Sequence, residues 1–412
     1  MNIGIEAINL YSGVCYLDIF ALFNARNLNI DRFDNLMMKT KSVSLPCEDP
    51  VTNGVNAAKP IIDQLTLAEK DRIEIVITAS ESGIDFGKSI STYVHYYLNL
   101  NKRCRLFELK QACYGGTAAL QLAINYIASG VSPGAKVLII ATDIARAAAK
   151  GTYAEPSQGT GAVAILISEK PYILSLDFGA NGFYSYEVMD TYRPQPNLEI
   201  GDPDLSLLSY LDCLENAYSH YCDNVEGVDF KDTFDYLVFH TPFPGMVKGA
   251  HKKMMRSYKK LTPAEVEADF QARVMPSIHY CAQVGNIYSA TLYFALCSLI
   301  DHVDLMGAAA KRVGLFSYGS GCSSEFFSGI VSETSKKSLR KMAIFERLQE
   351  RHNLSMAEYE TISDLNMEWI FGIKDKTVDL SRYSGIYDSY IRGKKLLVLQ
   401  RIENYHRKYD WS

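Results

Sequence analysis

Gln111-Ala112-Cys113-Tyr114-Gly115-Gly116-Thr117-Ala118-Ala119 sets one cysteine among small residues where an apolar strand gives way to a helix. Upstream, Arg105-Leu106-Phe107-Glu108-Leu109 reads as a strand; downstream, residues 117–127 carry Ala, Leu and Ile at helical spacing and stop at Ser129-Gly130. Cys113 is therefore expected at a helix N-terminus. Unpaired N–H groups and the positive end of the helix dipole favour a thiolate there, and the thiolate is the nucleophile. A buried, inert cysteine is the other reading, and the commoner fate of a single Cys.

Outward from this stretch, strands and helices alternate. Residues 3–11 read as a strand, 17–27 as a short helix, and 55–68 as a second helix after a loop at 44–50. Arg72-Ile73-Glu74-Ile75-Val76-Ile77-Thr78 is a β-branched run that ends in Ala79-Ser80-Glu81-Ser82-Gly83, which places Glu81 just past a strand's end. Residues 136–142 form another apolar strand, followed by Asp143, and residues 162–167 a further one. Strands alternating with helices predict a largely parallel sheet covered on both faces.

The second half repeats the scheme. Residues 235–239 form a strand ending in His240-Thr241-Pro242, a helix follows Gly285-Asn286, and residues 312–318 lead into Gly319-Ser320-Gly321. The matching order of elements points to an α/β fold built from two duplicated halves, 1–170 and 171–412. Residues 181–224, rich in Tyr, Asp and Pro, read as loops and short helices on the second half. From Lys336 the chain turns charged and helical, and residues 402–409 read as a tail docked on the surface.

Composition narrows the function classes. With 412 residues, 48% hydrophobic and 22% charged, the chain has the make-up of an ordinary soluble protein with a large core. A net charge of -5 argues against a general nucleic-acid binder. No apolar run has the length of a membrane span and the N-terminal residues lack a signal-peptide pattern, so a cytoplasmic location is expected. The nine cysteines show no CxxC pair and no finger-like spacing, so neither a disulfide framework nor a zinc site is expected.

Glu81, Cys113 and His240 each end an apolar strand or begin a helix, and ligand sites in α/β sheets collect at the carboxyl ends of strands. A carboxylate, a thiolate and an imidazole make a base, a nucleophile and an acid. Taken singly, Glu81 also suits a cap on the Ser82-Gly83 turn, and His240 a hydrogen-bonded core histidine. Beyond His240, Lys248, His251, Lys252, Lys253, Arg256, Lys259 and Lys260 form a basic cluster on an acidic chain. It reads either as a solvated helix face or as a steering surface for an acidic partner.

Together these residues resemble the 3-hydroxy-3-methylglutaryl (HMG) synthase family of the thiolase superfamily, across essentially the whole chain. The catalytic glutamate motif is matched by Ser80-Glu81-Ser82-Gly83-Ile84-Asp85, the nucleophile motif by Gln111-Ala112-Cys113-Tyr114-Gly115-Gly116, and the histidine motif by Phe239-His240-Thr241-Pro242-Phe243. Gly285-Asn286-Ile287-Tyr288 and Ser317-Tyr318-Gly319-Ser320-Gly321 are similar to its asparagine segment and serine turn. Asp143-Ile144-Ala145, Glu155-Pro156-Ser157-Gln158-Gly159 and Asp190-Thr191-Tyr192-Arg193-Pro194 fit as well. The branch that installs β-methyl carbons during polyketide synthesis is resembled more closely still. Its marks are Glu48-Asp49-Pro50-Val51-Thr52, the run from Gly54 to Pro60, the Phe107-Glu108-Leu109-Lys110 lead-in to Gln111, and Gly245-Met246-Val247-Lys248-Gly249-Ala250-His251.

This resemblance implies a thiolase-like layered αβαβα core with Glu81, Cys113 and His240 catalytic and Asn286, Ser320, Tyr153 and Asp143 in support. The substrates it implies are thioesters on the phosphopantetheine arm of acyl carrier proteins, an acetyl donor and a β-ketoacyl acceptor, with no permanent cofactor or metal. Arg32 and Lys248 are the candidates for contact with the arm's phosphate, and a homodimer is expected. Relatives in primary metabolism usually carry a lysine, associated with coenzyme A binding, where this chain has Gly245; its absence favours carrier-bound substrates. The chain departs from its branch between Ile144 and Glu155, where only residues 145–154 stand in place of a longer loop. The rival readings are a primary-metabolic enzyme joining acetyl-CoA to acetoacetyl-CoA, a thiolase- or ketosynthase-like enzyme, and a catalytically impaired docking protein.

Overall fold

Runs in which every side chain is apolar or small belong where neither face of a strand meets water, and Lys136–Asp143 and Gly161–Ser168, buried at every position, lie inside a nine-stranded sheet. The computed structural model describes residues 2–145, 149–195, 198–259, 261–369 and 371–412. The first half supplies β1 (Gly4–Tyr11), β2 (Ile73–Ala79), β3 (Arg105–Leu109), β4 (Lys136–Asp143) and β5 (Gly161–Ser168), in the spatial order β3-β2-β4-β5-β1. The second half supplies β6 (Leu174–Ser185), β7 (Tyr236–Phe239), β8 (Lys311–Gly319) and β9 (Ser323–Val331), in the order β6-β9-β8-β7. The two sets join where Gly4 and Ile5 of β1 face Ser175 and Leu174 of β6.

The duplication is visible in strand direction. β2 runs parallel to β4, β4 antiparallel to β5, and β5 antiparallel to β1. Likewise β7 runs parallel to β8, β8 antiparallel to β9, and β9 antiparallel to β6. Only β3, parallel to β2 at the outer edge, has no counterpart in the second half's part of the sheet. The sheet is thus mixed and not largely parallel. A buried apolar run carries no mark of direction, and the turn at 320–322 between β8 and β9 is far too short for a crossover helix.

The helices that bear on the site are α1 (Ile30–Leu36), α2 (Pro50–Asp63), α3 (Gly115–Ala128), α4 (Pro203–Asn224), α5 (Pro244–Tyr258), α6 (Thr291–His302) and α7 (Met356–Met367). α3 and α6, one from each half, form the middle layer. They approach so closely that a Cβ on Gly116 would stand 2.8 Å from the Ser289 carbonyl oxygen, and Thr117 Oγ1 meets the Tyr293 hydroxyl at 3.1 Å. α2 begins at Pro50, earlier than the expected 55, because Asp49 and Thr52 close a capping box there.

One expectation gives way and another is borne out. Residues 181–224 hold the end of β6 and the 22-residue α4, not loops with short helices. The buried stripe of α4 is Tyr210, Leu214, Ala217, Tyr218 and Tyr221, so its helical period is written largely in tyrosine and hidden from an aliphatic count. The C-terminal tail is a hairpin, β10 (Leu397–Glu403) and β11 (His406–Trp411), and it does dock: the Tyr409 hydroxyl donates to Asp49 Oδ2 at 2.7 Å. Among the described residues no helix is long and apolar enough to cross a membrane.

Candidate active site

The duplicated strands deliver their residues in pairs. Glu81 follows the end of β2 and His240 that of β7; Asp143 closes β4 and Ser320 follows β8; Cys113 precedes α3 and Asn286 precedes α6. All stand at strand carboxyl ends or helix starts, where chain direction gathers a ligand site.

Contacts join most of this set. The Cys113 thiol lies 3.5 Å from Glu81 Oε1. The other oxygen, Oε2, pairs with Arg193 Nη1 at 2.7 Å, and the same nitrogen reaches the Glu81 carbonyl at 3.3 Å. Arg193 Nε is held by Glu199 Oε2 at 2.7 Å, Glu199 Oε1 accepts from Gln158 Nε2 at 2.6 Å, and the guanidinium lies 4.6 Å over the Tyr288 ring. Tyr288 N–H and Thr291 Oγ1 both donate to Asn286 Oδ1 at 2.9 Å, which fixes that amide with its nitrogen on the opposite side. Asp143 Oδ1 accepts from the Glu81 N–H at 2.9 Å and from Ser80 Oγ at 3.2 Å. On the far side of Cys113, the Tyr114 hydroxyl donates to buried Glu325 at 2.8 Å, where Gln121 and Asn181 also donate.

The Ser320 turn is packed onto the nucleophile loop, since a Cβ on Gly319 would fall 2.5 Å from the Tyr114 nitrogen. Asp190 holds the turn through the Gly321 N–H at 2.9 Å and the Tyr318 hydroxyl at 2.7 Å. His240 comes in alongside, its N–H bonded to Phe316 of β8 at 2.8 Å and its carbonyl accepting from Tyr210 at 2.8 Å.

Electrostatics modify the reading of Cys113. Burial first, and then the charges of Glu81 and Asp143, push its thiol well above the usual cysteine range. The helix-terminus expectation of a resting thiolate therefore gives way to a protonated sulfur that donates to Glu81, because burial, and then a carboxylate at 3.5 Å, outweigh a helix whose first residue is Gly115. Asp143 is pushed up to about 7 by burial and by Glu81. Burial alone pushes His240 down to about 3, and its Nδ1 has no hydrogen-bond partner among the described residues, so the ring is neutral at physiological pH.

Other expected residues lie apart. Tyr153 is 54% exposed and stacks beneath Arg32, whose guanidinium sits 3.9 Å from its ring and donates to its carbonyl. Lys248 lies on α5, whose start packs against Asn35 of α1, but its ammonium is engaged by Glu267 at 3.0 Å. The basic cluster is largely neutralised: His251 is buried against Asp269, Lys253 pairs with Glu215, and Lys259 with Asp229 and Asp232. Lys252 and Arg256, one turn apart and exposed, have no ion-pair partner among the described residues; Lys260 lies outside them. Of the short loop, Arg146, Ala147 and Ala148 also lie outside them. Arg193, Glu199 and Gln158 received no role from the sequence, although Arg193 and Gln158 stand in family motifs; Arg193 and Glu199 are 6 positions apart, but Glu81 lies 112 positions from Arg193 and Gln158 lies 41 from Glu199.

Two family models match: the hydroxymethylglutaryl-coenzyme A synthase N terminal over residues 1–171, and its C terminal over 174–268 and 256–409. The chain belongs to this family. The synthase is 52% identical to the polyketide biosynthesis 3-hydroxy-3-methylglutaryl-ACP synthase PksG of Bacillus subtilis, over 100% of its own length and 99% of that protein's. With the hydroxymethylglutaryl-CoA synthase of Enterococcus faecalis it shares 36% identity over 88% of its own length and 91% of the other's. Among solved structures, the curacin biosynthetic pathway HMG synthase in complex with acetyl donor-ACP superposes on the synthase at TM-score 0.96 and 55% identity, with 100% of both chains covered. The synthase shares the thiolase-like fold of these neighbours.

Proposed function

We propose that the synthase is the β-branching enzyme of a polyketide pathway: it takes an acetyl group from a donor acyl carrier protein, condenses it with the β-ketone of a chain on an acceptor carrier protein, and hydrolyses the resulting enzyme thioester. The observation that carries this reading is the line from Cys113 Sγ through Glu81 to Arg193, a nucleophile and a cation held on one carboxylate base. Cys113 attacks the acetyl thioester on the phosphopantetheine arm, and Glu81 moves the thiol proton to the departing pantetheine sulfur. Glu81, again a carboxylate, then takes a proton from the methyl group of acetyl-Cys113, and the enolate carbon adds to the ketone. A neutral imidazole donates a hydrogen bond rather than acting as an imidazolium acid. His240 and the Asn286 amide therefore polarise the ketone, and the proton that Glu81 removed ends on the new tertiary hydroxyl. Water then cleaves the thioester, releasing a carrier-bound 3-hydroxy-3-(carboxymethyl)acyl chain and the Cys113 thiol. Backbone N–H groups of Cys113 and Ser320 are the oxyanion donors of the acyl-transfer steps.

Carrier substrates, and not coenzyme A, suit the α5 start: a Cβ on Gly245 would lie 1.7 Å from the Asn35 carbonyl oxygen of α1, so this backbone has no room for a lysine there. The site of action is the cytoplasm. We also assign the open edge of β3 to a second copy of the chain; a solution mass of one chain, 46.1 kDa, would refute the homodimer. Intact-protein mass spectrometry after incubation with acetyl-carrier protein tests the chemistry. Wild type should gain about one acetyl group, ~42 Da, that Cys113→Ala does not. Acetylation from acetyl-CoA as fast as from the carrier protein would point to primary metabolism instead.

A further inference from the structure

We propose that Arg193 is the positioning residue of the carbon–carbon bond-forming step: braced by Glu199, it holds one oxygen of the Glu81 carboxylate and turns the other toward the acyl-cysteine. This deepens the proposed function and rests on Glu81 acting as the base. Glu81 and Arg193 are 17% and 11% exposed, so their 2.7 Å pair is little weakened by solvent. Nη1 takes both Oε2 and the carbonyl of Glu81, which leaves Oε1 as the oxygen 3.5 Å from the Cys113 sulfur. A guanidinium anchored at Nε by Glu199, itself held by Gln158, cannot rotate away without breaking that further ion pair, and the Tyr288 ring lies beneath it.

Charge counting explains why one cation matters here. Among the described residues, the ionisable groups facing Glu81 include Cys113 ahead of α3, Asp143 at the end of β4, and Arg193 from the strand Thr191–Gln195; Glu199 faces Arg193 from the neighbouring strand, and Tyr288 lies ahead of α6. Of these described groups Arg193 is the cation, and it is shared between two carboxylates. Asp143, pushed up to about 7 by burial and by Glu81, is only partly ionised near neutrality, and its Oδ1 is taken by the Glu81 N–H and Ser80.

The assignment predicts pH shifts of opposite sign. The rate to follow is single-turnover condensation by enzyme already acetylated at Cys113, measured against pH. Arg193→Met should lower that rate at neutral pH at least ~10-fold and move its acid limb upward by roughly one pH unit, as loss of a contacting opposite charge does. Arg193→Lys keeps a charge without the fork, so the limb stays near its place while the rate falls. Glu199→Gln leaves the whole guanidinium charge to Glu81 and should move the limb downward. A brace that served folding alone would leave all three limbs where the wild type has them, and that result, or a Glu199→Gln shift in the same direction as Arg193→Met, overturns the assignment. Glu81→Gln separates the two levels: if it condenses at the wild-type rate, the proposed function fails; if it is inactive while the limbs stay fixed, only the role of Arg193 fails.

Discussion

Among the described residues, His240 at the end of β7 has no titratable partner to offset its burial, and this has a consequence for stability. Its folded-state value is about 3, against an unfolded value near 6.5. Between these limits the unfolded chain binds a proton that the folded chain refuses, so the contribution of His240 is present in full above about pH 6.5 and is lost as pH falls toward 3. Urea unfolding of wild type should therefore weaken by up to about 1.4 kcal/mol per pH unit more than that of His240→Gln across the middle of that window; parallel pH dependences would mean the histidine titrates normally when folded. Glu81, Cys113 and His240 were legible because each follows an apolar strand directly, so local pattern suffices to place them at the sheet's carboxyl edge. Arg193 was not given a role, since its partner Glu81 lies 112 positions away and the motif around it, residues 190–194, does not show what the guanidinium holds. The protonation of Cys113 was hidden for the same reason. A helix terminus is a local feature, whereas the burial that outweighs it comes from the whole fold and the carboxylate that adds to it from another strand.

At the scale of elements, the glycines that open α3 look interchangeable in the sequence and are not. A Cβ on Gly115 would rest 3.4 Å from the Ala79 Cβ, an ordinary contact, whereas on Gly116 it would meet the Ser289 carbonyl oxygen at 2.8 Å and the Tyr293 ring at 3.2 Å. Gly115→Ala should stabilise the protein by a few tenths up to about 1 kcal/mol through helix propensity. Gly116→Ala should cost about 1–3 kcal/mol by forcing α3 and α6 apart, and should slow acetylation of Cys113, which the same helix start holds in place. Thermal unfolding of the pair, with acetylation followed in parallel, checks this; equal effects of the two substitutions would show that the helices can separate freely. Element existence read well wherever strands were aliphatic. Direction did not, because pairing geometry leaves no mark on a fully buried run, and α4 was missed because tyrosines carry its buried stripe.

For the molecule as a whole, the order of elements revealed a duplication, and strand directions now support it in both halves. What the duplication does not supply is the closure of the chain on itself, made by the hairpin at the far end. Asp49 caps α2 with Oδ1 on the Thr52 N–H at 3.0 Å, while Oδ2 receives the Tyr409 hydroxyl at 2.7 Å and Arg407 Nη1 at 3.1 Å. Leu397 and Asn56 exchange two further hydrogen bonds, and the Leu399 N–H donates to the Cys47 carbonyl. These contacts span more than 340 positions, so the sequence could show a docking tail without its target. Asp49 and Arg407 are 7% and 9% exposed, and removing one partner of such a pair strands the other charge in the interior. Tyr409→Phe, which removes one donor and leaves the ion pair, should cost about 1–3 kcal/mol; Arg407→Met, which leaves the buried carboxylate without its cation, about 3–5 kcal/mol. In urea unfolding followed by circular dichroism, that ranking should appear as a larger fall in midpoint for Arg407→Met than for Tyr409→Phe. A variant Arg407→Met as stable as wild type would mean that the hairpin merely covers the first half, and that α2 holds its cap without help from the chain's end.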